Sequence, residues 1–177
     1  MTRLKWRESL SRKGCRVVLS DLPVAMHCHH YNINIQKTLE DTLGEAGIEL
    51  LFRSAEETAH HNFRSLIERY PHPPVLESKL ELLADLYRNC GLGVIHFEEI
   101  TPDHGLAISP SSHHVTGWLA KHGRRETPGC HFSRGWLAGV LAVIFHRPVG
   151  HFRVAETECK MMRSDVCRFE IERRYGH

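Results

Sequence analysis

The sequence predicts an α+β fold: a helical N-terminal half, an antiparallel sheet with covering helices, and a C-terminal hairpin carrying a candidate zinc site. Three observations predict it. Between residues 31 and 90, apolar side chains recur at every third or fourth position, the period of an amphipathic helix. Beyond Gly93 the apolar runs shorten and are joined by turn-forming sequences such as Thr101-Pro102-Asp103-His104-Gly105, as in an antiparallel sheet. Helices gathered ahead of strands, instead of alternating with them, define the α+β class.

The elements follow in order. Residues 17–22 form a short apolar run before Pro23 and read as a strand or entry segment. Over residues 31–46, Ile35, Leu39 and Leu43 lie four apart with Gly44 and Gly47 near the stop, giving an amphipathic helix. Ser54 with Glu56 and Glu57 reads as the next helix start, since acids in a first turn face the positive end of the helix dipole. That helix runs to about residue 70, where Pro71, Pro73 and Pro74 break it. Residues 77–90 place Leu80, Leu83 and Tyr87 on one stripe and end at Gly91.

Residues 94–100 and 105–109 read as a hairpin. Ser111 or Ser112 caps a short helix that Gly123 stops. Residues 132–145 are apolar on nearly every face and predict a buried helix, with Gly135 and Gly139 leaving a groove for close approach and Pro148 ending it. Residues 151–159 and 166–173 are strands around a turn at 160–165.

A chain of 177 residues suits one domain with its own core. Hydrophobic content of 41%, charge of 25% and a net charge of +2 are those of an ordinary globular protein and give no nucleic-acid signature. The basic clusters, Arg3 to Lys13, Arg124-Arg125 and Arg173-Arg174, are small and not interleaved with aromatics. The N-terminus lacks the apolar stretch of a secretory signal, and no run approaches the roughly twenty apolar residues of a membrane span. A cytoplasmic protein without nucleic-acid or membrane partners is expected. In a reducing compartment its six cysteines are thiols or metal ligands ahead of disulfides.

Three of those cysteines carry the strongest signal. Cys130 precedes the buried helix, Glu156-x-x-Cys159 closes one late strand, and Cys167 opens the next. Three thiols and a carboxylate on separate supports look like a closed four-ligand zinc site, structural in role. In a regular strand a three-residue offset sends Glu156 and Cys159 to opposite faces, so the site requires a bulge, or Cys159 already in the turn. Cys167 and Phe169 would face one way, Arg168 and Glu170 the other. The alternative is three buried cysteines acting as small hydrophobes.

At these residues the sequence resembles the 4-vinyl reductase domain family, which includes effector-binding domains of phenol-sensing regulators. The matching residues are Cys130-His131-Phe132-Ser133-Arg134-Gly135-Trp136-Leu137-Ala138-Gly139, His146-Arg147-Pro148, Glu156-Thr157-Glu158-Cys159 and Cys167-Arg168-Phe169. About forty residues match well, and half the chain loosely through Gly117-Trp118 and the segment before Cys90. Residues 1–177 are thus expected to be one such domain, with 1–30 an N-terminal segment and 90–175 the best-matching core. The resemblance implies zinc at Cys130, Glu156, Cys159 and Cys167. It also implies an aromatic ligand buried between sheet and helices, for which His96, His113, His114, Trp118, Phe132 and Trp136 are the counterparts of walls and polar groups. A homodimer joined through N-terminal and helical segments is implied as well. The chain departs from the family twice: the connection from Pro148 to Glu156 is about three residues longer, and Arg163-Ser164 stand where family turns hold Gly-Asp.

Fifteen histidines are many for this length, and their titration near pH ~6.5 makes the net charge rise on mild acidification. His27-Cys28-His29-His30 is the densest group of metal-binding side chains and a candidate second metal site or polar pocket lining. Glu57-x-x-His60 has the spacing of a di-iron ligand pair but lacks the second copy such a centre needs. Neither a nucleotide-binding glycine loop nor a nucleophile-elbow serine is present, and Cys15 beside Lys13 and Arg16 is a weak thiolate.

The leading reading is a sensor or ligand-binding module for a small apolar or aromatic molecule, with structural zinc and no catalytic residues. Its signal would pass through a protein partner or a dimer. Two rivals stay open. One, implied by the resemblance, is a tetrapyrrole-linked vinyl reductase or accessory factor, with a histidine from the 27–30 cluster as axial ligand; no flavin or nicotinamide signature accompanies it. The other is a metal-dependent enzyme with an open His/Cys site.

Overall fold

Alternating burial along the last strands and a fully buried helix before them set the architecture, which a computed structural model describes for residues 10–19, 22–25, 27–69 and 75–174. Strands β1 (Leu10–Lys13), β2 (Arg16–Leu19) and β3 (Leu22–Val24) form an antiparallel three-stranded sheet in that order. The single strand expected to end at Pro23 is therefore corrected. Pro23 lies inside β3, paired with Val18, and β3 is an edge strand where a residue without an N–H is tolerated.

Helix α1 (His29–Leu43) stops at Gly44, whose φ of 56° suits a residue without Cβ. Its apolar stripe behaves unexpectedly: Ile35 and Leu43 are exposed, whereas Ile33 and Gln36 are buried. Gln36 replaces an apolar anchor with two donations from Nε2, to the Gly129 carbonyl and to Glu40 Oε1, both at 2.8 Å. Helix α2 (Glu45–Arg69) begins nine residues before the expected Ser54 start. Phe52, Ala55, Ala59, Phe63 and Leu66 form one buried stripe, so the helical repeat already runs upstream of Ser54. Glu56, expected in a first turn, is buried in mid-helix, and Gly47, expected near a stop, lies inside α2 where a Cβ would strike the Leu39 carbonyl. The proline break at 71–74 and residues 3–9 of the basic stretch lie outside the described residues.

Helix α3 (Leu76–Asn89) buries Leu82, Leu83 and Tyr87. Then come β4 (Gly93–Glu98), β5 (His104–Ser112), α4 (His113–His122), α5 (His131–Ile144), β6 (Phe152–Glu158), a 3-10 turn (Lys160–Met162) and β7 (Cys167–Arg173). The second sheet is antiparallel throughout, in the order β4-β5-β7-β6. Thr101 shapes the predicted hairpin turn by donating from Oγ1 to the His104 carbonyl at 2.7 Å.

The core lies where α5 is enclosed by α2 on one side and the second sheet on the other. Leu137, Val140 and Leu141 of α5 belong to one buried cluster with Phe152, Val154, Phe169 and Ile171 of the sheet, each burial worth about 1.5–3 kcal/mol. Gly135 and Gly139 create the close approach that their spacing predicts: a Cβ at either would strike the backbone of α2, at Phe52 and Glu56 respectively. Glu56 in turn accepts a hydrogen bond from Gly150 N at 2.8 Å, fixing the loop that leads into β6. No helix among the described residues is long and apolar enough to cross a membrane.

Candidate metal centre and ligand cavity

Cys130 is the N-cap residue of α5, and its backbone N–H donates to Glu156 Oε2 at 2.8 Å. The β6–β7 register shifts between Glu156 and Glu158, the bulge the spacing required, and Cys159 lies just beyond the strand as the N-cap of the 3-10 turn. Cys167 opens β7 with Phe169 on the same buried face, while Glu170 is exposed. As a result the ligand atoms of Cys130, Glu156, Cys159 and Cys167 all lie within 4.8 Å of one another, and all four residues are buried. Among the described residues no other set of three such side chains comes as close together.

The donor set fits zinc. Tetrahedral coordination at a Zn–S distance of 2.3 Å separates two sulfurs by about 3.7 Å, and Cys130 Sγ stands 3.6 Å from Cys167 Sγ. Glu156 Oε1 is buried without a hydrogen-bond partner, an orphaned acceptor that a cation would satisfy. Charge points the same way. Hydrogen bonds from Cys130 and Cys167 hold Cys159 well below the usual thiol range, while the Cys130 thiol is pushed up by the same bond with Cys159. Burial, reinforced by Cys159, raises the Glu156 carboxyl to about 8. Four acidic groups thus compete for protons in one dry cage, and a divalent cation stabilises all of them in their ionised form. The Lys160 N–H donates to Cys167 Sγ at 3.4 Å, orienting a ligand from outside the cage. Arg163, in the turn between Cys159 and Cys167, stands in the left-handed region at φ 89°.

Polar bonds fasten the cage to α1. Burial raises the Glu40 carboxyl, but donations from His131, Arg125 and Gln36 outweigh it and hold the group at about 2. The His131 contact is 3.0 Å and the Arg125 ion pair 3.1 Å, both mostly buried. Because His131 adjoins Cys130, and Gln36 binds the Gly129 carbonyl, α1 grips the ligand loop at two points.

Beyond the cage, α2, α5, the end of α3 and strands β2 and β3 enclose a cavity of about 450 Å³. Ala55, Ala59, Phe63, Phe132, Trp136 and Val140 supply apolar wall, and Thr58 and Asn62 supply polar groups. Its size is that of small-molecule sites. A second cavity of about 700 Å³ opens beside it, lined by His27, Cys28, His29, Asn32, Asn89 and His113 among others.

The residues anticipated for a ligand pocket are distributed as follows. Phe132 and Trp136 line the first cavity and His113 the second. His114 is buried beside Phe132 with ring centroids 5.0 Å apart, and neither ring nitrogen has a hydrogen-bond partner. Burial, helped by His113 and His131, depresses its pKa to about 3 and keeps it neutral. Trp118 is buried under the Arg125 guanidinium, 4.5 Å from its ring, and His96 is exposed on β4. Of the 27–30 cluster, His27, Cys28 and His29 reach the second cavity, and His30 is exposed. Glu57 is exposed and His60 lies 3.3 Å from the Arg147 carbonyl, a helix-to-loop contact. Sequence reasoning missed the α2 wall. Its signal was available in Ala55 and Ala59, two small residues one turn apart.

Fold and site together define an α+β domain with a buried cluster of three cysteines and a glutamate that could hold a metal ion, next to a largely apolar cavity. The same fold occurs in the phenol-responsive sensory domain of the transcription activator PoxR, crystallised with phenol: TM-score 0.79, 17% identity, 95% of this chain and 86% of that chain covered. It occurs in a vinyl-4-reductase family protein from Methanocaldococcus jannaschii, with TM-score 0.51, 18% identity and coverage of 82% and 92%. A third structural relative is a trafficking protein particle complex subunit 3 from Naegleria fowleri covalently bound to palmitic acid, with TM-score 0.56, 8% identity and coverage of 82% and 95%. No family model matches the sequence, and no curated protein matches it. The fold is thus shared with a phenol-responsive sensory domain and a vinyl-4-reductase family protein, the two kinds of protein that the sequence resembles at Cys130 to Phe169.

Proposed function

We propose that the chain is a small-molecule-binding module in which structural zinc at Cys130, Glu156, Cys159 and Cys167 fixes the wall of an apolar ligand chamber. The observation that carries the reading is the 450 Å³ cavity walled by Phe132, Trp136 and Val140 of α5, the helix whose first residue follows a cage ligand. Zinc bound by four protein groups has no open position for substrate, so its contribution is rigidity. Two structural relatives are described with apolar-bodied molecules, phenol in one and palmitic acid in the other, which supports a ligand of that kind here. Elemental analysis with native mass spectrometry tests both halves. One zinc per chain and saturable binding of phenol or a longer alkylphenol are expected; a zinc-free folded chain, or failure of every apolar probe to bind, would overturn the reading.

The module acts as a homodimer in this proposal. Tyr31, Ile35 and Leu43 are exposed along α1, an apolar surface suited to a second copy. Ile35→Asp is expected to convert a dimer to a monomer in light scattering, and a wild type that is monomeric at micromolar concentration would refute the pairing.

A second reading, a tetrapyrrole-linked factor, draws on the imidazoles lining the larger cavity. Visible absorbance of the purified chain after haem or chlorophyllide addition tests it, with no spectral shift counting against it.

A further inference from the structure

The two cavities share wall residues. Leu19 and Val24 of the N-terminal sheet, with Cys90 and Leu92 at the end of α3, line both, so the apolar chamber adjoins the larger space at these residues. The two spaces differ in chemistry. The chamber is walled mainly by aliphatic and aromatic side chains, whereas the outer space gathers His27, His29 and His113 with the amides of Asn32 and Asn89. Among the described residues neither is lined by an aspartate, glutamate, lysine or arginine.

From this polarity we infer that the site takes an amphiphile bearing a carboxylate, its apolar body in the chamber and its head group at His29 and His113. The inference rests on the chamber reading above and adds the second half of the ligand. A carboxylate leaving water needs hydrogen-bond donors. The outer cavity offers amide and imidazole N–H groups that can donate. Among its described residues it offers no acid to hold an ammonium head.

Local geometry agrees. The His29 and His113 rings stand 6.1 Å apart between centroids, and Asn32 Nδ2 lies 3.3 Å from His113 Nε2. Burial first, then the neighbouring His29, works against protonation of His113, a repulsion that an anion between the rings would relieve. The two rings sit in the first turns of α1 and α4, and neither turn carries an acid or a side-chain cap, so nothing in them competes with an anionic head.

The test is calorimetric titration of the full chain with decanoate, 1-decanol and decyltrimethylammonium, three probes with one tail and different heads. Decanoate is expected to bind at least about tenfold more tightly than decanol, and the ammonium most weakly. In a His29→Gln/His113→Gln variant the ratio of decanoate to decanol affinity is expected to fall to about one. Equal binding of decanoate and decanol to the wild type, tighter binding of the ammonium, or an advantage that survives in the folded double variant would each overturn the head-group assignment and leave the chamber reading intact. Binding of none of the three would overturn the chamber reading with it. Should the variant fail to fold, the ranking of the three heads on the wild type decides by itself.

Discussion

Glu156 Oε2 accepts the Cys130 backbone N–H at 2.8 Å while Oε1 of the same carboxylate is buried without a partner. One oxygen therefore holds the start of α5 and the other is left to face the sulfurs. That division of labour separates two variants. Glu156→Gln retains an oxygen for the Cys130 N–H but loses the anionic ligand, so it should fold and bind zinc more weakly by more than about tenfold. Cys159→Ser removes a sulfur from the cage and should lose zinc and soluble folding together. Chelator competition and zinc content check both, and wild-type zinc retention by Cys159→Ser would refute the ligand set.

Gly139 packs against the backbone of α2 beside Glu56, with no room for a methyl group. Gly139→Ala should force α2 and α5 apart and cost about 1–3 kcal/mol, as overpacking does. Urea unfolding measures this, and a loss below about 0.5 kcal/mol would show that the helices are not held this closely.

The Glu40 carboxyl is depressed from 4.5 to about 2. For an acid whose folded pKa is lowered, the stabilisation is complete above its unfolded pKa and is lost as pH falls through the folded one. Wild type should therefore exceed Glu40→Gln by about 1–3 kcal/mol at pH 7, with the gap narrowing below pH ~4.5 and closing near pH ~2. Denaturant titrations at several pH values check this; a gap independent of pH would mean that Glu40 contributes by packing and not by charge.

Arg163 holds φ 89° in the turn between the last two cysteines. A left-handed residue other than glycine costs about 1–2 kcal/mol, part of which glycine returns as unfolded-state entropy. Arg163→Gly should accordingly raise thermal stability by about 0.5–1 kcal/mol with zinc content unchanged. A destabilised variant would indicate that the Arg163 side chain makes a contact of more weight than the backbone strain.

Much of the Cys/Glu cluster was legible because its members signal themselves locally. Cys130 heads an apolar run, Glu156 and Cys159 are three apart, and Cys167 begins an alternating strand, so side-chain chemistry and strand period together place them. Helix α5 was legible for the same reason, since twelve of its fourteen residues are buried and nearly every one announces this by being small or apolar. The start of α2 was misread because Ser54 and Glu56 imitate a cap, while Glu56 is in fact a buried acceptor for Gly150 N, a partner 94 residues away. The orientation of α1 was equally hidden. Its regular apolar stripe is left exposed, and its buried side is organised by Gln36 and Glu40, whose partners Gly129, Arg125 and His131 are far along the chain.

By itself the sequence determined the α+β order of elements, the gathering of three cysteines and a glutamate around the C-terminal hairpin, and the close contact that Gly135 and Gly139 permit. These depend on neighbours within a few residues, where backbone period and residue type are sufficient. Only the tertiary structure decided that Ala59 and Trp136 share one chamber, that Leu19 and Val24 form its rim, and that His29 and His113 meet beside it. A cavity is the space left between elements, and no local pattern records the distance at which two helices and a remote strand come to rest.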